Sequence, residues 1–308
     1  MSNAMSRILV IKLGALGDFV QAFPPFQAIR TTHRNDQITL LTTAPFLGLA
    51  QTSPWFDSVL YDERPDWTDI NGLLRLRTML QGFDRIYDLQ TSSRSSRYRH
   101  LAGRTAEWCG IAPNSSLRHD NPARNAMHTR ARQRDQLRRA GIHAVPDADL
   151  AWLTPHGPEL PTPYILLAPG AAAHRPAKRW PVARFASLAT QIAQRGFTPV
   201  IIGSRQDSDL AETIRQTCPT AQNLTGQTDL PSLAGLMSRA AAAIGNDTGP
   251  MHLAAATGCR SIVLFSADSN PALTAPIGRT AGQVSIISLP DLATLQVERV
   301  AALLPERH

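Results

Sequence analysis

Three short runs hold the residues whose types and spacing could do chemistry. The first is Lys12-Leu-Gly14-Ala-Leu-Gly17-Asp18. A β-branched apolar run, Arg7 to Lys12, leads into it, and an amphipathic stretch to Arg30 follows, which reads as strand, glycine turn, helix. Its glycines are spaced G-x-x-G and not G-x-G-x-x-G, so it is not a dinucleotide fingerprint. Gly17 permits close approach to the turn, and Asp18 stands at the helix start. A carboxylate there either caps the helix or, at a cleft mouth, serves as a general base. The second run is Pro169-Gly170-Ala-Ala-Ala-His174-Arg-Pro-Ala-Lys178-Arg179-Trp180-Pro181. A glycine loop carrying Lys178 and Arg179 just before a helix that Pro181 opens suits a diphosphate, although two ordinary surface cations would look the same. The third is Gly245-Asn246-Asp247-Thr248-Gly249-Pro250-Met251-His252-Leu253-Ala254. A strand ending at Ile244 and a helix starting near Gly249 or Pro250 would aim free N–H groups and the positive end of the helix dipole at an anion. Thr248 adds a hydroxyl donor, and His252, four residues on, shares its helix face. Asp247 would repel a phosphate, so it is expected to cap the helix or hold sugar hydroxyls.

These runs need elements to hold them. The chain has 308 residues, 43% hydrophobic and 18% charged, enough for a sizeable core in two domains or one large one. Ser2-Asn3-Ala4 ahead of Met5 reads as an expression scar, with no secretory segment after it. No stretch approaches the ~18 apolar residues of a membrane span. Cys109, Cys218 and Cys259 form neither a disulfide framework nor a zinc signature, which suits a reducing compartment.

Strands are expected at 7–12, 38–41, 58–61 and 83–88, alternating with helices that include 73–80 and 128–141. Five prolines between Pro146 and Pro163 read as a linker. Alternation then restarts, with strands at 164–168, 198–202, 241–245, 261–265 and 284–287. Helices are expected at 182–195, from about Ser208, at 230–239, 250–257 and 295–304. This α/β pattern implies two doubly wound halves: residues 5–150, a linker at 151–163, and residues 164–308. Open α/β sheets bind ligands beyond the carboxyl ends of their strands, so two such halves facing across a cleft would both contribute turns to one site. The net charge is +7, and from Arg85 to Arg139 there are twelve arginines against four acids (Asp88, Glu107, Asp120, Asp135). That segment is either a solvated face or a seat for an anionic partner. Only Lys12 and Lys178 are lysines among 31 basic residues, and both fall inside the motifs.

In these motifs the chain resembles the ADP-heptose:lipopolysaccharide heptosyltransferases, glycosyltransferase family 9. The resemblance rests on KLGALGD (Lys12 to Asp18), YDLQTSSRSSRYRHLAG (Tyr87 to Gly103), PG…KRWP (Pro169 to Pro181) and GNDTGPMHLAAATG (Gly245 to Gly258), in order over nearly the whole chain. It implies a GT-B fold of two Rossmann-like domains, the first binding the acceptor and the second a nucleotide sugar. It implies inverting, metal-independent transfer from ADP-heptose to a lipopolysaccharide inner-core acceptor, with no cofactor. Asp18 would be the base. Lys178 and the Thr248–Gly249 helix start would hold the diphosphate with His252 and Asp247 nearby, and Asp207 the ribose, unless Asp207 only caps the next helix. Lys12, Gly17, Arg94, Arg97, Arg99 and Arg104 would face a lipid-linked phosphorylated glycan. The location implied is the cytoplasm or the inner face of its membrane, with no nucleic-acid partner. The chain departs from the family at Asn270-Pro271, where Asp-Pro is usual, and at Ala171 to Ala173, which replace hydroxyl residues. These departures leave a different donor or acceptor sugar open. Two other classes also stay open: a nicotinamide oxidoreductase, from the doubly wound halves, and a non-catalytic binder of nucleic acid or glycan, from the charge.

Overall fold

The computed structural model describes residues 5–103, 105–172 and 175–306. The chain divides into two compact units, one ending at Asp149 and the other starting at Leu150. In the first, β1 (Arg7–Ile11), β2 (Gln37–Thr42), β3 (Ser58–Tyr61), β4 (Arg85–Asp88), β5 (Glu107–Gly110) and β6 (Leu117–Arg118) form one parallel sheet, in the order β3-β2-β1-β4-β5-β6. Its helices are α1 (Leu16–Val20), α2 (Phe23–Thr32), α3 (Leu47–Thr52), α4 (Ile70–Met79), α5 (Ser93–Leu101) and α6 (Thr129–Arg138). In the second, β7 (Tyr164–Ala168), β8 (Thr198–Ile201), β9 (Gln222–Asn223), β10 (Ala242–Asn246), β11 (Ser261–Phe265) and β12 (Val284–Ser288) repeat the plan as β12-β11-β10-β7-β8-β9. The helices there are α7 (Val182–Gln194), α8 (Ser208–Thr217), α9 (Leu230–Arg239), α10 (Gly249–Ala256), α11 (Pro271–Thr274) and α12 (Val297–Ala301).

The central strands are mostly apolar because helices cover both faces, with Asp88 and Asn246 as polar carboxyl ends, and β7, β10 and β11 are buried at every position. In each unit the strand order reverses between the first and fourth strands, at β1/β4 and at β7/β10. The turns leaving those neighbours pass to opposite faces and open a crevice at the carboxyl end.

Several expected elements shift in extent. The stretch to Arg30 is two helices, not one. Pro24 and Pro25 have no N–H to give an ongoing helix, and they fit the first turn of a new one, α2. The five-residue α1 is anchored by Phe19, which stacks on Phe46 at 4.6 Å within a cluster of Phe23, Phe26 and Trp55. Gly14, at φ +122°, lies against the same Phe46 ring, where a Cβ would come within 2.8 Å. The backbone constraint of this turn therefore falls on Gly14, while Gly17 lies inside α1. Strands β5, β6 and β9 lack a period-2 pattern long enough to read from sequence.

Part of the proline-rich segment docks on the second unit. Arg239 donates to the carbonyls of Thr154, His156 and Pro158, and Leu153 is fully buried. Gly235 in α9 makes room, since a Cβ there would run into the His156 and Leu153 carbonyls. Gly48, in α3, has nothing within 4 Å of such a Cβ. Gly48→Ala should therefore gain up to about 1 kcal/mol from helix propensity, whereas Gly235→Ala should lose roughly 1–3 kcal/mol by overpacking. Urea titration of the two variants checks this, and equal responses would mean that the segment does not press on α9.

Candidate functional site

In the first unit the β1/β4 reversal builds a small polar pocket. Strand β1 delivers Lys12 at its carboxyl end, and β4, paired with it at Ile11 and Asp88, delivers Asp88 and the turn Leu89-Gln90-Thr91. Asp18 comes from α1. Thr129, Arg132, Gln133 and Gln136 come from α6, and Arg124 from the turn before it; together they line a pocket of about 130 Å³. The Asp18 side chain does not cap α1, whose cap residue is Ala15. Its carboxylate is half-buried on the polar side of a helix whose other side carries Phe19 and Val20 into the core.

Charge in this pocket is held at a cost. Lys12 is 3% exposed, and its Nζ donates to the Leu89 carbonyl at 3.1 Å. Burial pushes its ammonium down to about 8, although Asp18 and Asp88 pull the other way. Asp88 is fully buried, and its Oδ1 accepts the N–H groups of Gln90 (3.1 Å) and Thr91 (2.9 Å). Burial raises its carboxyl to about 6 even so. Gln136 locks the floor by donating to Asp88 O at 2.8 Å. Arg124 donates to His119 and Arg132 to Thr129, so in the described residues neither bonds a carboxylate. Burial lowers the Arg124 pKa, and the like charge of Arg132 adds to the effect. A pocket with two such guanidiniums and one buried ammonium beside Asp18 suits an anionic substrate group whose neighbouring hydroxyl must lose a proton.

The expected arginines lie elsewhere. Arg94 and Arg97 stack on Trp67, at 5.2 and 5.0 Å, and Arg94 donates to Pro65 O. Arg99 donates to Gly103 O and lies 6.0 Å from the Trp108 ring. None of the three lines the Asp18 pocket. Arg104 lies outside the described residues, as do Ala173 and His174. Arg124, Arg132 and Asp88 were not singled out from sequence. The arginine-rich segment and an acid at a strand's carboxyl end were the available signals.

In the second unit the β7/β10 reversal joins the other two motifs. Asn246 ends β10 fully buried. Its Oδ1 accepts the Trp180 N–H at 2.9 Å, and its Nδ2 donates to Pro169 O at 2.8 Å. One side chain thus ties both ends of the loop that carries Lys178. Lys178 Nζ pairs with Asp247 Oδ2 at 2.6 Å, with the side chains 12% and 8% exposed. Asp247 therefore does not cap α10; Thr248 is the cap residue, extended at φ −148°, and its side chain makes no cap bond. Thr248 stands directly before the first N–H groups of α10, and His252 is buried one turn further on. Asp207 Oδ2 accepts both the N–H and the hydroxyl of Ser204, at 2.9 and 2.8 Å, in a capping box. Its carboxylate fits between Gly170 and Gly203, where any Cβ would collide with it. Among the described residues no three His, Cys, Asp or Glu side chains converge as metal ligands.

Asn246→Ala would strand one buried donor and one buried acceptor, a loss of about 2–6 kcal/mol at roughly 1–3 each. Asn246→Asp keeps the shape but turns an oxygen toward Pro169 O, and it should cost at least as much. Denaturant midpoints decide; a well-tolerated Asp would show that shape alone holds the loop.

The model of the family described as "Glycosyltransferase family 9 (heptosyltransferase)" matches residues 74–302. The chain is 34% identical over 130 residues to lipooligosaccharide heptosyltransferase 2 of Haemophilus influenzae; the match covers 41% of this chain and 37% of that protein's length. Two solved structures superpose over nearly the whole chain. A glycosyl transferase family 9 protein from Veillonella parvula gives a TM-score of 0.81 at 20% identity, covering 98% of this chain and 97% of the other. The E. coli heptosyltransferase WaaC with ADP gives 0.80 at 18% identity, covering 96% and 98%. Those likenesses show the fold, GT-B.

Proposed function

The chain belongs to glycosyltransferase family 9, the heptosyltransferases, and from that premise we propose that it moves a heptose from ADP-heptose to a lipopolysaccharide inner-core acceptor. The transfer is inverting and needs no metal. The observation that carries this reading is Asp18, a carboxylate free of any capping bond in a pocket whose other ionisable lining groups, Lys12, Arg124 and Arg132, are cations. The names of the relatives and the ADP held by the E. coli structure support the donor.

The acceptor hydroxyl passes its proton to Asp18 as its oxygen bonds to the anomeric carbon. The bond from that carbon to the diphosphate oxygen breaks, and ADP leaves with the electron pair. Attack from the face opposite the leaving group inverts the centre. Residues 5–150 hold the acceptor. Arg124 and Arg132 take a phosphate or carboxylate of the lipid-linked glycan, with Lys12 fixing the turn beneath. Arg94, Arg97, Arg99 and Arg104 offer further cationic contacts. Residues 164–308 hold the nucleotide sugar. The α10 N–H groups, Thr248, Gly249 and Lys178 neutralise the diphosphate as charge develops, which is the work a metal does elsewhere. Asp247 holds the Lys178 ammonium in place, His252 borders the turn, and Asp207 meets the ribose. Such an enzyme works in the cytoplasm at the inner membrane face, where its acceptor is. No described helix is long and apolar enough to cross a membrane.

Asp18→Asn should keep the melting temperature within a few degrees, because no cap bond is lost. It should still bind ADP and lose at least ~100-fold in turnover. Transfer from ADP-heptose to a heptose-deficient core is the assay, and a near-wild-type rate would move the base elsewhere. Lys178→Ala should weaken ADP at least tenfold, about 1.4 kcal/mol, since it also leaves Asp247 unpaired beside the diphosphate. Unchanged affinity by calorimetry would make Lys178 only a structural partner of Asp247.

A further inference from the structure

Behind the Asp18 pocket lies a buried histidine that the transfer reading does not use. His119 follows β6, is 3% exposed, and is fixed by its backbone N–H on Gly110 O at 2.8 Å. Its Nδ1 lies 3.1 Å from Arg124 Nε, and its Nε2 lies 2.9 Å from Asp135 Oδ2. Arginine has no acceptor, so Nδ1 must accept and the imidazole proton must sit on Nε2, donating to Asp135. Asn121 also donates to Asp135 Oδ2, at 2.6 Å, which holds that carboxylate still.

We propose that His119 is a positioning residue for Arg124: a neutral, Nε2-protonated imidazole spends the arginine's Nε–H and aims its two terminal nitrogens at an anionic group bound beside Asp18. The proposal rests on reading that pocket as the seat of an anionic acceptor group. Protonated His119 would present an N–H to Arg124, so the bond would be lost and two cations would face each other. Burial lowers the His119 pKa, and Arg124 and Arg139 add to this against Asp135. The charged groups around the ring are Asp135 from α6 and Arg139 just after it, Arg124 from the preceding turn, and Arg118 and Asp120 on its own segment. Arg139 is held by Asp120 at 2.7 Å, and Arg138 stands 4.0 Å from Asp135.

The sign of the effect separates positioning from plain charge. An added positive charge near the pocket would tighten anion binding on acidification, whereas loss of the Nδ1 acceptor would weaken it. Sulfate is a suitable probe because it does not titrate in this range. His119→Asn keeps an acceptor near Nδ1 but cannot be protonated. Its sulfate affinity at fixed ionic strength should match wild type within about threefold near pH 8, and exceed it roughly three- to tenfold near pH 5. Asp88 titrates in both proteins and cancels in that ratio. A constant ratio, or tighter wild-type binding at low pH, overturns the proposal. Should the variant fold poorly, imidazole nitrogen shifts in the wild type decide: Nε2–H on His119, and an Arg124 Nε–H signal that moves with the same midpoint, are expected. An Nδ1–H tautomer overturns it. With acceptor, the variant should change the pH profile of KM and leave that of kcat alone. Sulfate results as expected without any heptosyl transfer would instead reject the acceptor reading and leave the positioning intact.

Discussion

Everything chemical in this chain depends on one constraint of parallel sheets: where the strand order reverses, the turns leaving two neighbouring strands must part to opposite faces. The reversal occurs twice, at β1/β4 and at β7/β10. No ladder partner fills the gap it leaves, so side chains do. In the first unit Lys12 crosses it to Leu89 O, and Gln136 reaches Asp88 O. In the second, Asn246 at the end of β10 bonds to both ends of the loop after β7, and Lys178 in that loop pairs with Asp247. The groups that span the crevices are themselves assigned to chemistry or are neighbours of groups that are.

These crevices keep charge where burial opposes it. A buried Lys12 beside a buried Asp88 is not a stabilising arrangement, since desolvation moves each toward its neutral form. Stability for each unit comes instead from its apolar strands and from clusters such as Phe19–Phe46 and Trp180–Phe185. Those clusters also set the precision of the site. Asp18 precedes Phe19 on a five-residue helix that has little stability of its own, so the buried ring fixes where the carboxylate points.

Much of this was legible in the sequence, and the part that was not has a physical pattern. The long apolar strands, the glycine turns and α9 over Leu230–Arg239 follow from periodicity and punctuation. So does the end of α6, near Gly141 at φ +79°. The short strands β5, β6 and β9 carry no such period. Contacts across the fold were the harder loss. The arginine-rich segment was visible, but its split into Arg94 and Arg97 around Trp67, and Arg124 and Arg132 beside Asp18, depends on which helix packs at the β1/β4 gap. Asp247 read as a cap or a partner for sugar hydroxyls, and only its neighbour Lys178, 69 residues away, shows it to be half of an ion pair.

The two lysines bring these points together. Arginine supplies 29 of the 31 basic side chains, so lysine persists only at Lys12 and Lys178. The two hold equivalent places, one at the end of the first strand of its unit and one in the turn after the first strand of the other. Each is largely buried, and among the described residues each bonds a single oxygen, Leu89 O at 3.1 Å and Asp247 Oδ2 at 2.6 Å. A guanidinium there would bring five N–H donors in a rigid plane into a space that satisfies one or two, and the remainder would be desolvated without partners. An ammonium is compact and sheds its charge more readily when water is removed, as the fall of Lys12 to about 8 reflects. Arginine, with its wider fork, occupies the pocket rim at 124 and 132, where a bound anion could use the extra donors. The division between the two cation types thus follows burial: lysine where the side chain is largely buried and already bonds a protein oxygen, arginine in the pocket lining, where the terminal donors are left for a bound anion.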